Sequence, residues 1–380
     1  MAESRTFESE YLDHMDRQQE RLRKGEFKLA DVPGYVKGQF PVPEIWHNID
    51  YLDVYQKVWG RPIGGNGIGK LREVALTTIT DNEYNPVFEE DPPFFHKWSQ
   101  PYDTLDVEAM RDQSAGYQEV LESAGVKVHR IDFPDPPVGA FGQMMYMWAA
   151  RELLVLNGGS VIPKLGFSAF SFGRPEFLAW WAMTHLGIPP ILTITGKGVC
   201  EAGPCFFLAE DVFVAAKGLA FNQEGLDQFL PVVKRSTGLD EVHNIILKCT
   251  SRDYFDPGSG VSAHPDMVLG PLDVDKVILY PPGIDFDSLT WLVRHGYKIV
   301  EIDRDEQVQF APANVTLLEP GRVIMHAGAT NAIAAVRKLG VEVIEQPYAE
   351  FLKAGGGLHC STMEVWKERG PMLGDPPAVK

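Results

Sequence analysis

Cysteine is scarce in this chain: four residues in 380, at Cys200, Cys205, Cys249 and Cys360. That is too few for a disulfide-stapled scaffold. Cys200 and Cys205 have no second pair at zinc-ligand spacing, so a structural zinc site is not expected. No window approaches eighteen uninterrupted apolar residues, which leaves no candidate for a spanning helix. The first 28 residues are charged throughout and hold no apolar stretch of the kind a secretory signal needs. Positive charge is also in short supply, with 35 Lys and Arg against 52 Asp and Glu and a net charge of −17. Such a surface repels phosphate backbones and anionic lipid and attracts small cations, although the same charge also serves solubility alone. A Ser/Gly-rich linker is missing too. Together these absences predict a cytoplasmic protein with no nucleic-acid or membrane partner; homo-oligomerisation is left open.

What is present is an ordinary globular composition, 44% hydrophobic and 23% charged, on a chain long enough for one large core or two ordinary ones. Residues 1–60 read as a leader, with a polar helix over 8–24 and then a Pro- and aromatic-rich passage over 41–46. Residues 61–380 read as a single α/β domain. Regular structure starts with an apolar strand over 71–78. A helix over 108–124 follows, with Met110, Tyr117, Val120 and Leu121 at helical spacing, and then an alternating strand over 126–131. The same order recurs twice at a period of roughly 45 residues, as expected of a repeat architecture. Strand 276–280, helix 288–295 and strand 297–301 form one copy; strand 322–325, helix 330–339 and strand 341–345 form the other. In each copy a glycine, Gly296 or Gly340, stands where a left-handed helix stop belongs. Further strands fit 152–156, 191–195 and 211–215.

The glycine-rich run Gly64-Gly-Asn-Gly-Ile-Gly69-Lys70 has phosphate-loop spacing. Position 71, however, is Leu where a magnesium-binding hydroxyl is required, so the run reads as a flexible loop. Cys360 follows Gly355-Gly-Gly357 and is flanked by polar residues. Three glycines allow close backbone approach, and a reactive thiol needs a polar, partly open setting; nucleophile and inert thiol remain equal alternatives on this ground. His264 and Asp266, two apart, project to one side in strand-like geometry and suit proton transfer and cation binding, or else form a solvated loop pair. Glu201 and Glu152 each lie beside apolar strands, where a carboxylate is exposed or paired, so an ion pair accounts for either one alone.

Taken in order, these stretches resemble the guanidino-group-modifying enzymes, the pentein superfamily, which includes arginine deiminases, dimethylarginine dimethylaminohydrolases and amidinotransferases. Arg151-Glu152, Glu201-Ala-Gly-Pro204, His264-Pro-Asp266, Asn314-Val-Thr-Leu-Leu318 and Gly355-Gly-Gly-Leu-His-Cys360-Ser-Thr362 carry the resemblance over residues 68–370. It implies an α/β propeller of five ββαβ-type units with pseudo-fivefold symmetry and a central site. It also implies Cys360 as nucleophile, His264 as general acid/base and Glu201 as partner of the histidine or the substrate, with Glu152 and Asp266 gripping the guanidinium. The implied reaction passes through a covalent amidino-thioether and needs no cofactor and no metal. Water as the second reactant makes a hydrolase of the deiminase or dimethylaminohydrolase type. An amine acceptor makes an amidinotransferase, and the fold also serves non-catalytic binding proteins. Two departures, Glu152 where the family has Asp and Pro204 in place of a second acid, fall in the cation-binding wall.

Overall fold

A computed structural model describes residues 7–26, 28–31, 34–40, 43, 47–52, 62–79, 106–132, 154–166, 174–248, 259–353 and 355–376. Glu152, Cys249 and most of the 41–46 passage lie outside the described residues. Among the described residues no helix is long and apolar enough to cross a membrane. Helix α1 (Phe7–Arg23) comes first. The first unit holds β1 (Leu71–Thr77), α2 (Val107–Ser123) and β2 (Lys127–Ile131), with β1 and β2 parallel. Helix α2 starts at Asp106, whose side chain accepts from Ala109 N, and buries Met110, Ser114, Tyr117 and Leu121 along one stripe.

Four further units each begin with an antiparallel hairpin and end with a helical crossover to a parallel strand. The second has β3 (Leu154–Leu156), β4 (Gly159–Ile162), α3 (Arg174–Leu186) and β5 (Pro190–Thr193). The third has β6 (Phe206–Ala209), β7 (Val212–Lys217), α4 (Gln223–Thr237) and β8 (His243–Lys248). The fourth has β9 (Leu269–Asp273), β10 (Lys276–Leu279), α5 (Phe286–Arg294) and β11 (Lys298–Glu301). Helix α6 (Arg304–Phe310) connects to the fifth, β12 (Thr316–Glu319), β13 (Arg322–His326), α7 (Thr330–Lys338) and β14 (Glu342–Gln346). After α8 (Ala349–Lys353), strand β15 (Thr362–Lys367) pairs antiparallel with β1 and supplies the hairpin partner that the first unit lacks. The result is five three-stranded sheets of the ββαβ plan. Helix α1 packs against α3, and the Tyr51 hydroxyl donates to Asn157 O at 3.0 Å.

Strand β9 packs against β6 and β12, and β15 packs against β3, so the opening strands of neighbouring units face one another. Their side chains are covered on both faces. Phe206, Phe207, Leu208 and Ala209 are all buried, a continuous apolar run rather than an alternating one. The expected left-handed stops are present, Gly296 at φ 78° and Gly340 at φ 79°. The glycine run at 64–69 departs from expectation: it is buried and closely packed, not flexible. Asn66 Oδ1 accepts from Asn157 N and its Nδ2 donates to Ser236 Oγ, both at 2.9 Å. A side chain at Gly69 would collide with the Glu368 carbonyl. Dense packing accounts for these glycines, and no phosphate is needed.

Candidate active site

Each candidate residue stands a few positions ahead of a unit's opening strand. Glu201 precedes β6, His264 and Asp266 precede β9, Asn314 precedes β12, and Cys360 precedes β15. Glu152 precedes β3 in sequence. Because those strands are spatial neighbours, the turns in front of them meet.

Cys360 is 1% exposed, so the partly open thiol expected from the sequence is a buried one. Cys360 belongs to the buried cluster that holds Leu358, Tyr348 and Phe351, and its sulfur also has polar neighbours. The two N–H groups of the Asn314 amide are shared between Cys360 Sγ and Asp266 Oδ2, each at 3.1 Å, while Asn314 Oδ1 accepts from Cys360 N at 3.2 Å. Asp266 Oδ2 also lies 3.5 Å from the sulfur and accepts from His359 Nδ1 at 2.8 Å. Burial in apolar surroundings disfavours a thiolate, and so does a neighbouring carboxylate; an amide donor aimed at the sulfur favours it. Asn314 pulls in that direction.

The 264–266 element is a tight turn rather than the extended strand expected. His264 itself is extended (φ −100°, ψ 122°), but Pro265–Met267 closes one turn of 3₁₀ helix. Proline's fixed φ suits that first helical position. Consequently the two side chains part company. Asp266 goes to Cys360, Asn314 and His359, whereas His264 Nε2 meets Glu201 Oε2 at 2.6 Å. Glu201 is 4% exposed, so the ion-pair partner that sequence reasoning required is His264. Met267 completes the turn with its sulfur 3.4 Å from Cys360 Sγ. Thus Cys360, Asp266, Asn314 and His359 form one cluster, Glu201 and His264 another, and two residues of backbone join them.

The turn that carries Cys360 is held from below by hydroxyls. Tyr348 Oη bonds Ser361 Oγ at 2.8 Å, and Ser361 Oγ and Thr362 Oγ1 both donate to Leu358 O. Tyr117 Oη bonds Thr316 Oγ1 at 2.6 Å and Thr362 Oγ1 at 2.8 Å, tying β12 to β15. Burial holds both tyrosine hydroxyls far above their usual pKa, so they act as neutral hydrogen-bonding groups. Gly357 permits the central contact, since a Cβ there would stand 2.6 Å from Asn314 Oδ1. In the sequence Asn314 stands out only as the start of a strand and His359 and Met267 carry no signal of their own, although all three lie inside or next to the motifs named above. Among the described residues no group of three or more His, Cys, Asp or Glu side chains could hold a metal ion.

The chain is 36% identical over 360 residues to the 2-nitroimidazole nitrohydrolase of Mycobacterium sp. (strain JS330), covering 92% of this chain and 95% of that protein. Among solved structures it is similar to dimethylarginine dimethylaminohydrolase from Pseudomonas aeruginosa, with a TM-score of 0.58 at 17% identity over 78% of this chain and 100% of that one. The chain belongs to the guanidino-group-modifying, or pentein, superfamily of enzymes. A saxitoxin-pathway amidinotransferase from Microseira wollei shares the pentein fold at a TM-score of 0.59 and 16% identity, over 83% of this chain and 99% of that one. No family model matches the chain. The five ββαβ units expected from the pentein resemblance are therefore present.

Proposed function

We propose that this pentein hydrolyses a small compound at a carbon held between two nitrogens, with Cys360 as nucleophile and His264 as acid/base. The observation that carries this reading is the Cys360 sulfur set 3.1 Å from the Asn314 amide and 3.5 Å from Asp266, where turns from three units meet. The thiol proton passes to Asp266 Oδ2 as sulfur bonds to the N–C–N carbon, and the leaving group departs with its bonding pair. An amine leaving group takes a proton from His264. Nitrite is a weak base and needs none. Water then adds to the thioether carbon and gives a proton to His264, whose cation Glu201 stabilises. The C–S bond breaks and sulfur recovers the proton held on Asp266. After nitrite has left, His264 returns its proton to solvent, whereas after an amine has left that proton replaces the one His264 gave up. No metal or organic cofactor enters these steps.

The substrate class follows from charge. Pro204 stands where the pentein resemblance implies an acid, and the buried carboxylates Glu201 and Asp266 are each paired with an imidazole. Both features weaken the grip on a full cation and favour a neutral, electron-poor ring over the cationic guanidine expected from sequence. A 2-nitroimidazole, the compound for which the 36%-identical relative is named, presents such a ring, with C2 between two nitrogens and nitrite as leaving group. Glu152, one methylene longer than the family's Asp, is assigned to the same substrate wall.

The test is to incubate the enzyme with 2-nitroimidazole and with N-alkylguanidines, with and without added amines, while measuring nitrite, released amine and intact protein mass. Nitrite release by the wild type and none by a folded Cys360→Ser is the expected result. Undiminished release by Cys360→Ser would remove the nucleophile assignment. Turnover of the guanidines alone would overturn the leaving group proposed, and transfer to the added amine would overturn hydrolysis.

A further inference from the structure

Gln307 is 4% exposed and lies on α6, outside the cluster around Cys360. Its Nε2 donates to two backbone carbonyls, Gly260 O at 3.0 Å and Met267 O at 2.9 Å. These carbonyls stand at the two ends of the segment that carries His264 and Asp266. Gly260 adopts φ 71°, and a Cβ there would sit 2.8 Å from Gln307 Cγ, so the side chain lies directly against the backbone it holds. Tyr280 Oη adds a donor to Ser259 O at 2.8 Å on the same end. The amide has a firm mounting as well. Asp303 caps α6 by accepting from Glu306 N, and the Glu306 carboxylate accepts from Asn331 N at 2.7 Å and Ala332 N at 2.9 Å in the first turn of α7. Met267, whose carbonyl Gln307 holds, is the residue whose sulfur touches Cys360.

We propose that Gln307 is a positioning residue, clamping both ends of the 260–267 segment and so setting where His264 and Asp266 stand relative to Cys360. This rests on the roles assigned above to those three residues. Without the clamp two part-buried carbonyls lose a donor and the segment relaxes. Displacements on the ångström scale between reacting groups lower rates by up to about 100-fold. Because the amide touches backbone and not substrate, the loss falls on kcat and not on KM. The step that depends on His264, release of the thioether by water, slows most.

The experiment compares full-length wild type with Gln307→Leu, which keeps bulk but removes both donors, and with Gln307→Glu as a shape-conserving second variant should the first fail to fold. Hydrogen exchange of the amides in 260–267, kcat and KM for nitrite release, and the steady-state fraction of enzyme carrying the thioether are read in parallel. The expected result is faster exchange confined to 260–267, kcat lower by roughly 10- to 100-fold, KM within about twofold, and more thioether at steady state. A folded variant with wild-type kcat, or with a raised KM and unchanged kcat, overturns the proposal. If the wild type turns over no N–C–N compound, the functional reading fails by itself. Exchange then decides the clamp alone, and unchanged protection over 260–267 overturns it.

Discussion

Asn314 and Asp266 act on the Cys360 sulfur in opposite senses, one donating to it and the other placing negative charge beside it. Asn314→Asp would convert the donor into a second carboxylate. Like charge disfavours a thiolate, so the thiol pKa rises, and formation of the thioether slows at neutral pH by roughly tenfold or more and recovers as pH is raised. Single-turnover mass spectrometry across a pH series checks this, and a rate profile superimposable on the wild type would count against the arrangement. In the proposed reaction His264 separates the two halves. With a nitro substrate His264→Ala should still release one equivalent of nitrite and then stall as the thioether; steady multiple turnover would show that another group serves the water. These residue-scale roles had partial sequence signals. Cys360 behind three glycines and the His264–Asp266 pair were legible. The divergence of that pair toward different partners was not, because it depends on a turn that proline initiates and on which neighbours lie across the gap.

Glycines at the ends of elements do two different jobs, and substitution should tell them apart. Gly340 has φ 79° with nothing within 4 Å of a prospective Cβ, so Gly340→Ala pays only the left-handed backbone strain. A stability loss of about 1 kcal/mol with unchanged kcat is expected from denaturant unfolding and steady-state kinetics. Gly357→Ala instead pushes a methyl toward Asn314 Oδ1, so kcat should fall well before stability does. Equal effects of the two alanines on kcat would mean that the Asn314–Cys360 contact is unimportant. At the scale of elements the helices and strands read from sequence agree within a residue or two, such as 297–301 against Lys298–Glu301, whereas helices α3 and α4 and strand β8 are not read at all. The opening strands β6, β9 and β15 escape that reading, and β12 is met only as the apolar stretch after Asn314. β6, for one, is four residues long and buried throughout, so it carries neither strand nor helix periodicity.

The pairing of β1 with β15 joins the first and last described strands, and Glu210 holds the segment that follows. Glu210 accepts from Gly370 N, its own N donates to Pro371 O at 3.0 Å, and Asp211 Oδ1 accepts from Leu373 N at 2.8 Å, so the segment after β15 is fastened to the β6–β7 turn. Burial raises the Glu210 pKa, against smaller opposing contributions from the Gly370 N–H, Arg369 and Lys367. A carboxyl raised above its unfolded value binds its proton more tightly when folded. Its ionisation therefore withholds stability at neutral pH, and that stability returns as pH falls through the folded pKa toward 4.5. Glu210→Gln should melt above the wild type at pH 8, with the difference closing as pH approaches 4.5; a constant or inverted difference in Tm would contradict the assignment. By itself the sequence determined the repeated strand–helix–strand units and the order of the motifs, since periodicity and local spacing are written along the chain. Only the tertiary structure decided that the opening strands bring four separate turns together, that Asn314 stands against Cys360 and His359 against Asp266, that Cys360 is buried, and that Gln307 bonds both ends of the 260–267 segment. Those are contacts between residues tens to hundreds of positions apart, and no local pattern encodes which of them will meet.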